Sequence, residues 1–229
     1  LQHSNNWISA SLITTLGPQQ FVGILHDFGL NNPDIDRNAT PVLSLGPCEV
    51  SVGEMVSAYT AFANGGVRCA PLFVTKIEDS HGNVIAKFQP LMTEVISEDN
   101  SYRMIDMMRA VIDGGTGSRL KGAYGMKGDI CGKTGTTNSN SDGWFIAFTP
   151  ELVSGAWVGG EDRDIHFDST SLGQGAAAAL PIWAYFMKKV YADHQLGYSD
   201  KPQFAIPKDF DFCSTSEDTD VNDIQEVYF

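Results

Sequence analysis

At 229 residues, with 42% apolar and 19% charged side chains, the chain has the composition of a globular protein that can bury a full core as one domain or two. A net charge of −13 excludes nucleic acid and anionic lipid as natural partners. No run approaches the roughly 20 apolar residues that span a bilayer, which predicts a soluble chain, and Leu1-Gln2-His3-Ser4 has neither a basic stretch nor an apolar signal core, so the chain reads as cut from something longer.

Helices come first. Trp7, Ile8, Leu12, Ile13 and Leu16 recur at helical spacing, and Pro18 then opens a second segment whose Phe21, Val22, Leu25 and Phe28 stop at Gly29. Ser51-Val52-Gly53-Glu54 has the capping-box form, in which a Ser hydroxyl and a Glu carboxylate satisfy each other's orphan N–H groups. Met55, Val56, Tyr59, Phe62 and Ala63 follow as a stripe expected in the core. From Leu72 the period changes: residues 73–77 and 84–88 flank Ser80-His81-Gly82-Asn83, a hairpin signal with His81 solvated in its turn. Ser97 is placed to cap a helix whose Met104, Ile105, Met108, Val111 and Ile112 share a face, before the glycine-rich loop 114–117. Three strand-like runs follow, 130–137, 143–149 and 152–159, the last two joined by Pro150-Glu151, which predicts an antiparallel meander. A final helix over about 175–193 carries Leu180, Trp183, Phe186, Met187 and Val190, with Pro181 near its start. Eight acidic residues against Lys201 and Lys208 put −6 of the charge in residues 200–229, an acidic tail expected to be flexible.

The stretch GDICGKTGTT (128–137) admits two chemistries. A phosphate-cradling G-x-x-x-x-G-K-[ST] loop needs Gly at 127, where this chain has Lys, and it should open a helix. Thr136, Thr137, Asn138, Ser139 and Asn140 are instead poor helix formers. The nucleotide reading is set aside. The four cysteines form no C-x-x-C pair and sit near no clustered histidines, so neither a metal nor a cofactor is expected.

The remaining chemistry is serine acyl transfer, whose sites combine S-x-x-K, S-x-N or S-D-N, and K-T-G in chain order. Lys133-Thr134-Gly135 matches the third motif and Ser4-Asn5-Asn6 the second. Taken alone, the triplet at 4–6 reads as a helix cap and the K-T-G as an exposed strand. The flanks LGPCEVSVGEMVSAYTAFANGG (45–66), GGTGSRL (114–120) and DGWFIAFTP (142–150) extend the match. Together they resemble the C-terminal part of the transpeptidase domain of class A (bifunctional) penicillin-binding proteins, from Ser4 to the end of the last helix.

The resemblance implies an α+β fold: an antiparallel sheet flanked by helices, with a partial all-helical subdomain. Residues 1–199 would be the C-terminal portion of that domain, 1–70 mainly helical and 71–199 sheet plus helices. It implies catalytic roles for Ser4, Asn6 and Lys133. Substrate binding would fall to Thr134, Gly135, Thr136 and Thr137, with the Thr136 N–H helping to hold the oxyanion. Strict alternation puts Lys133 and Thr134 on opposite strand faces, so both serve one cleft only if the strand lies at a sheet edge or is twisted. The implied partners are a peptidoglycan stem peptide ending in D-Ala-D-Ala and β-lactams. The parent would be anchored in the cytoplasmic membrane, with this domain extracytoplasmic, and fused to a glycosyltransferase.

One motif is out of order. The only S-x-x-K is Ser118-Arg119-Leu120-Lys121, between the other two, and it reads as part of the preceding loop. The nucleophile is therefore expected upstream, the isolated chain inactive, and its uncovered surface a site of self-association. Two other readings stay open: a serine β-lactamase or β-lactam sensor using the same motifs, and a non-catalytic acidic interaction module in which the K-T-G is incidental.

Overall fold

A computed structural model describes residues 1–208 and Phe210, so most of the acidic tail, with its expected flexibility, lies outside the described residues. Helix α1 (Asn6–Leu16) starts where the Asn5 side chain accepts from the Trp7 and Ile8 N–H groups, and it ends at Gly17, whose φ of +96° suits glycine. Proline opens both α2 (Pro18–Asp27) and α3 (Pro33–Arg37). Helix α4 (Val52–Ala63) begins with the capping box in full: Ser51 N–H donates to the Glu54 carboxylate at 2.8 Å and Glu54 N–H to Ser51 Oγ at 3.2 Å.

Three small antiparallel sheets follow among the described residues. Strand β1 (Val67–Cys69) pairs with β4 (Met92–Glu94) around the expected hairpin of β2 (Lys76–Glu78) and β3 (Val84–Lys87). Asp79 closes that hairpin by accepting from the His81 and Asn83 N–H groups, and His81 is exposed. The strands are shorter than the sequence suggests, and Phe73 stands outside them, 93% exposed. Helix α5 (Glu98–Asp113) is capped by Ser97 and leads through loop 114–117 to the single turn α6 (Arg119–Gly122).

The principal sheet is the meander β5 (Cys131–Thr136), β6 (Asp142–Phe148) and β7 (Val153–Gly159), in the order β5-β6-β7, so β5 has a free edge. Alternation along β6 sends Phe145 to one face, where its ring meets Trp183 edge-on at 5.7 Å, and Phe148 to the other, against Tyr59 and Phe204. The first face is covered by α7 (Thr170–Gly173), α8 (Gly175–Ala178) and α9 (Leu180–Ala192). The last helix is thus broken near Pro181, which lacks the N–H to continue α8 into α9. Leu180, Trp183, Met187 and Val190 are buried as expected, while Phe186 faces outward. The second face packs on α4 and α5, where Ile105, Met108 and Tyr102 join Cys131 and Phe148. The result is an α+β fold with helices on both faces of an antiparallel sheet.

The α4 stripe expected in the core is only partly buried, and the apolar face of α1 is mostly exposed. The fully buried positions of α4 are Ser57, Ala58 and Ala61; Met55, Tyr59 and Phe62 pack on one side and border a cleft on the other. On α1 only Ile13 is buried, while Trp7 is 79% exposed and Ile8, Leu12 and Leu16 face outward with it. Helical spacing identifies an apolar face, but not what covers it. Among the described residues no helix is long and apolar enough to cross a membrane, and no cluster of metal-ligating side chains occurs.

Candidate active site

Lys133 and Ser4, 129 positions apart, meet at the free edge of β5: the Lys133 amine donates to Ser4 Oγ at 2.8 Å and to the Thr134 carbonyl at 2.8 Å. Register accounts for the arrangement. Lys133 lies opposite Ile146 and points to the α4/α5 face, while Thr134 lies opposite Phe145 and points to the α9 face. The alternation expected from the sequence therefore holds, and the edge position lets the lysine fold back over its own strand. The amine is half-buried, and desolvation lowers its pKa below the ordinary lysine value.

Ser4 is one of three non-glycine residues at positive φ (+53°) among the described residues, in a turn closed by its N–H donating to the Leu1 carbonyl. The other two, Ser139 and Asn140, lie in the loop after the K-T-G strand. Such conformations cost about 1–3 kcal/mol each and persist where surrounding contacts enforce them. Beside Lys133 opens a cleft of about 220 Å³ lined by Leu25, Phe28, Met55, Tyr59 and Met108.

The remaining motif residues divide. Thr134 is nine-tenths buried, and its hydroxyl lies 2.7 Å from that of Thr116. Gly135 faces Trp144, where an added Cβ would stand 3.0 Å from the Trp144 Cβ. Thr136 is exposed, and its hydroxyl accepts from the Gly175 N–H at 3.0 Å, tying β5 to α8. The Thr137 hydroxyl is engaged in the β5–β6 turn, accepting from the Asp142 N–H at 2.8 Å. Asn6, the first residue of α1, is exposed and stands outside this set of hydrogen bonds; Asn5 is the cap. At the misplaced S-x-x-K, Lys121 donates to Asp113 at 2.5 Å, and Ser118 merely precedes α6.

Two contacts escaped the sequence. Thr116 reaches Thr134, and Arg109 on α5 grips Asp129, four residues before Lys133, through Nε and Nη2 at 2.8 and 3.0 Å. Burial alone would raise the Asp129 carboxyl, but the Arg109 fork and the Phe204 N–H bring it below the usual carboxylate range. A lone threonine inside a glycine run was the available signal for the first contact. Nothing local marks the second.

The family model of the penicillin binding protein transpeptidase domain matches residues 1–158. Penicillin-binding protein 1A of Aquifex aeolicus is 35% identical over 193 residues, covering 83% of this chain and 25% of that protein. The counterpart from Neisseria lactamica is 32% identical over 197 residues, covering 82% and 23%. The chain thus spans about a quarter of the relatives it matches. Among solved structures, penicillin-binding protein 1A from Haemophilus influenzae superposes with a TM-score of 0.77 at 26% identity, covering 90% of this chain and 35% of that one. An imipenem acyl-enzyme complex of penicillin-binding protein A from M. tuberculosis shares the fold alone, with a TM-score of 0.57, 20% identity and coverage of 76% and 44%.

Proposed function

The chain belongs to the transpeptidase family of penicillin-binding proteins, as the C-terminal part of the transpeptidase domain of a class A member, and from that premise we propose that it forms one wall of a D,D-transpeptidase site in a longer protein. That protein crosslinks peptidoglycan stem peptides through a seryl acyl-enzyme, is acylated by β-lactams, and is anchored in the cytoplasmic membrane with this domain outside it. It also carries a glycosyltransferase. The observation that carries the reading is the 2.8 Å contact of Lys133 with Ser4, which unites the K-T-G and S-x-N motifs at one strand edge.

The chemistry needs a serine nucleophile, which the family order assigns upstream of Ser4. Its oxygen bonds to the penultimate D-Ala carbonyl carbon, the amide C–N bond breaks, and the leaving D-Ala takes a proton. Ser4, held by Lys133, is suited to relay that proton. The incoming stem-peptide amine then displaces the serine oxygen and forms the crosslink. Lys133 and Thr134 attract the terminal carboxylate, Gly135 lets the peptide backbone approach the open edge of β5 and pair with it, and the Thr136 N–H supports the developing oxyanion. Asn6 and Thr137 would contribute hydrogen bonds to the peptide. No cofactor is required, and the 229 residues without the upstream serine would be inactive.

A fluorescent penicillin tests this directly, applied to the 229-residue chain and to the same chain extended through the upstream Ser-x-x-Lys. Labelling of the extended form alone is the expected result. A folded extended form that stays unlabelled would remove the transpeptidase assignment.

A further inference from the structure

Loop 114–117 presents a single side chain, Thr116, among three glycines, and it lies where the two motifs meet. It leaves α5, which packs on one face of the sheet, and delivers Leu120 to the cluster on the other face, passing the open edge of β5. Close approach accounts for its glycines. A Cβ on Gly115 would stand 2.4 Å from the Gln2 carbonyl oxygen and 2.9 Å from the Val111 Cα; one on Gly117 would stand 2.8 Å from Ile112 Cδ1. Thr116 N–H donates to the Gln2 carbonyl at 3.3 Å, two residues before Ser4, while its hydroxyl meets Thr134. With the Lys133–Ser4 bond, these contacts close a ring through Gln2, Thr116, Thr134, Lys133 and Ser4.

We propose that Thr116 is a positioning residue that aims the Thr134 hydroxyl at the substrate's terminal carboxylate, an inference that rests on the transpeptidase reading. A hydroxyl carries one proton and two acceptor lone pairs. When Thr116 donates to Thr134, the Thr134 proton is left for an anion, and the incoming bond polarises it further. The reverse arrangement would present lone pairs to the carboxylate, so a bound anion selects the first. Lys133 and Thr134 leave the strand from opposite faces, but the lysine amine folds back to the Thr134 carbonyl, so charge and hydroxyl converge on one residue at the open edge. Lys133 supplies attraction with little direction. The threonine pair supplies the direction.

The test compares acylation of the parent protein, with its upstream Ser-x-x-Lys, by benzylpenicillin and by its methyl ester. Thr116→Val keeps the shape and removes the hydroxyl; Thr116→Ser keeps the hydroxyl. Thr116→Val should lose roughly ten- to hundredfold against the free carboxylate, the scale of one hydrogen bond to a charged group. It should change little against the ester, so the preference for the acid collapses, and Thr116→Ser should retain that preference. Equal losses against both probes, no loss against either, or a serine variant as defective as the valine would overturn the role. If the wild-type protein reacts with neither probe, the transpeptidase reading fails, and this inference fails with it.

Discussion

Lys133 titrates from a half-buried position, and the direction of its shift has a kinetic consequence. Desolvation lowers its pKa, so as pH rises the amine loses its charge earlier than an ordinary lysine, whose value is about 10.4. The carboxylate loses its electrostatic partner over the same range. Acylation of the parent protein by penicillin should therefore fall on an alkaline limb lying below that value. Lys133→Arg, which stays charged, should react more slowly at neutral pH but carry its limb to higher pH; superimposable limbs in the two proteins would show that Lys133 is not the titrating group. Lys133→Ala should lose at least roughly tenfold in the acylation rate, since a charge-assisted contact is removed. Gly115 makes a separate prediction. A Cβ there meets the backbone of both Gln2 and Val111, which cannot swing aside as a side-chain end could, so Gly115→Ala should destabilise by about 1–3 kcal/mol, read as a lowered Tm. At this scale the sequence was legible where a motif names its residues, as with Lys133 and Ser4. It was opaque where two ordinary threonines 18 positions apart meet, because the glycine run singles out Thr116 but nothing in it names Thr134 as the partner.

Between elements, the Arg109–Asp129 fork joins α5 to the approach of β5, and the same carboxylate accepts from the Phe204 N–H at 3.1 Å. The segment after α9 is thereby strapped across the end of the sheet, with Phe204 against Phe148 at 5.6 Å. The Asp129 pKa is lowered by folding, so its stabilisation is present above the ordinary carboxylate value of about 3.9 and is lost as pH falls through the lowered one. Asp129→Asn should cost about 1.5–3 kcal/mol at pH 7, because it takes the bidentate carboxylate from a guanidinium that is one-quarter exposed and leaves it with the Asp106 contact at 3.1 Å. The measurement is hydrogen exchange over residues 198–208. The variant should exchange faster at pH 7, and the wild type should approach it below about pH 4; a difference that persists unchanged in acid would assign the effect to packing instead. Elements built from local signals were legible: the capping box of α4, the hairpin turn at Asp79, and the turn at Pro150-Glu151 between β6 and β7, closed by the Thr149 N–H donating to the Leu152 carbonyl. The β1–β4 pair was not, since each strand is three residues long and the partners are separated by the whole hairpin.

On the scale of the molecule, the exposed side of α1 and the cleft beside Lys133 belong to one problem. Trp7, Ile8, Leu12 and Leu16 form an apolar face with only Ile13 turned inward, and the cleft is lined by Leu25, Phe28, Met55, Tyr59 and Met108. A folded domain does not ordinarily leave both uncovered, because burying one large apolar side chain is worth about 1.5–3 kcal/mol. The solved Haemophilus influenzae relative is a longer chain, of which this one covers 35%. In the parent protein, we expect the rest of the domain to cover these surfaces. The 229 residues alone should then associate with one another through the same face. Sedimentation velocity should show the isolated chain forming concentration-dependent oligomers, and the paired substitutions Trp7→Glu and Leu12→Glu should shift it toward monomer. In the extended protein the same pair should impair folding, since it would place charge inside an interface. The opposite signs matter: a surface that merely attracts copies would lose association in one context and suffer nothing in the other, whereas a face that completes the domain must fail in the extended protein. An isolated chain that stays monomeric at every concentration, together with an extended protein indifferent to Trp7→Glu and Leu12→Glu, would mean that α1 presents its apolar face to solvent by design and that the upstream half of the site docks elsewhere.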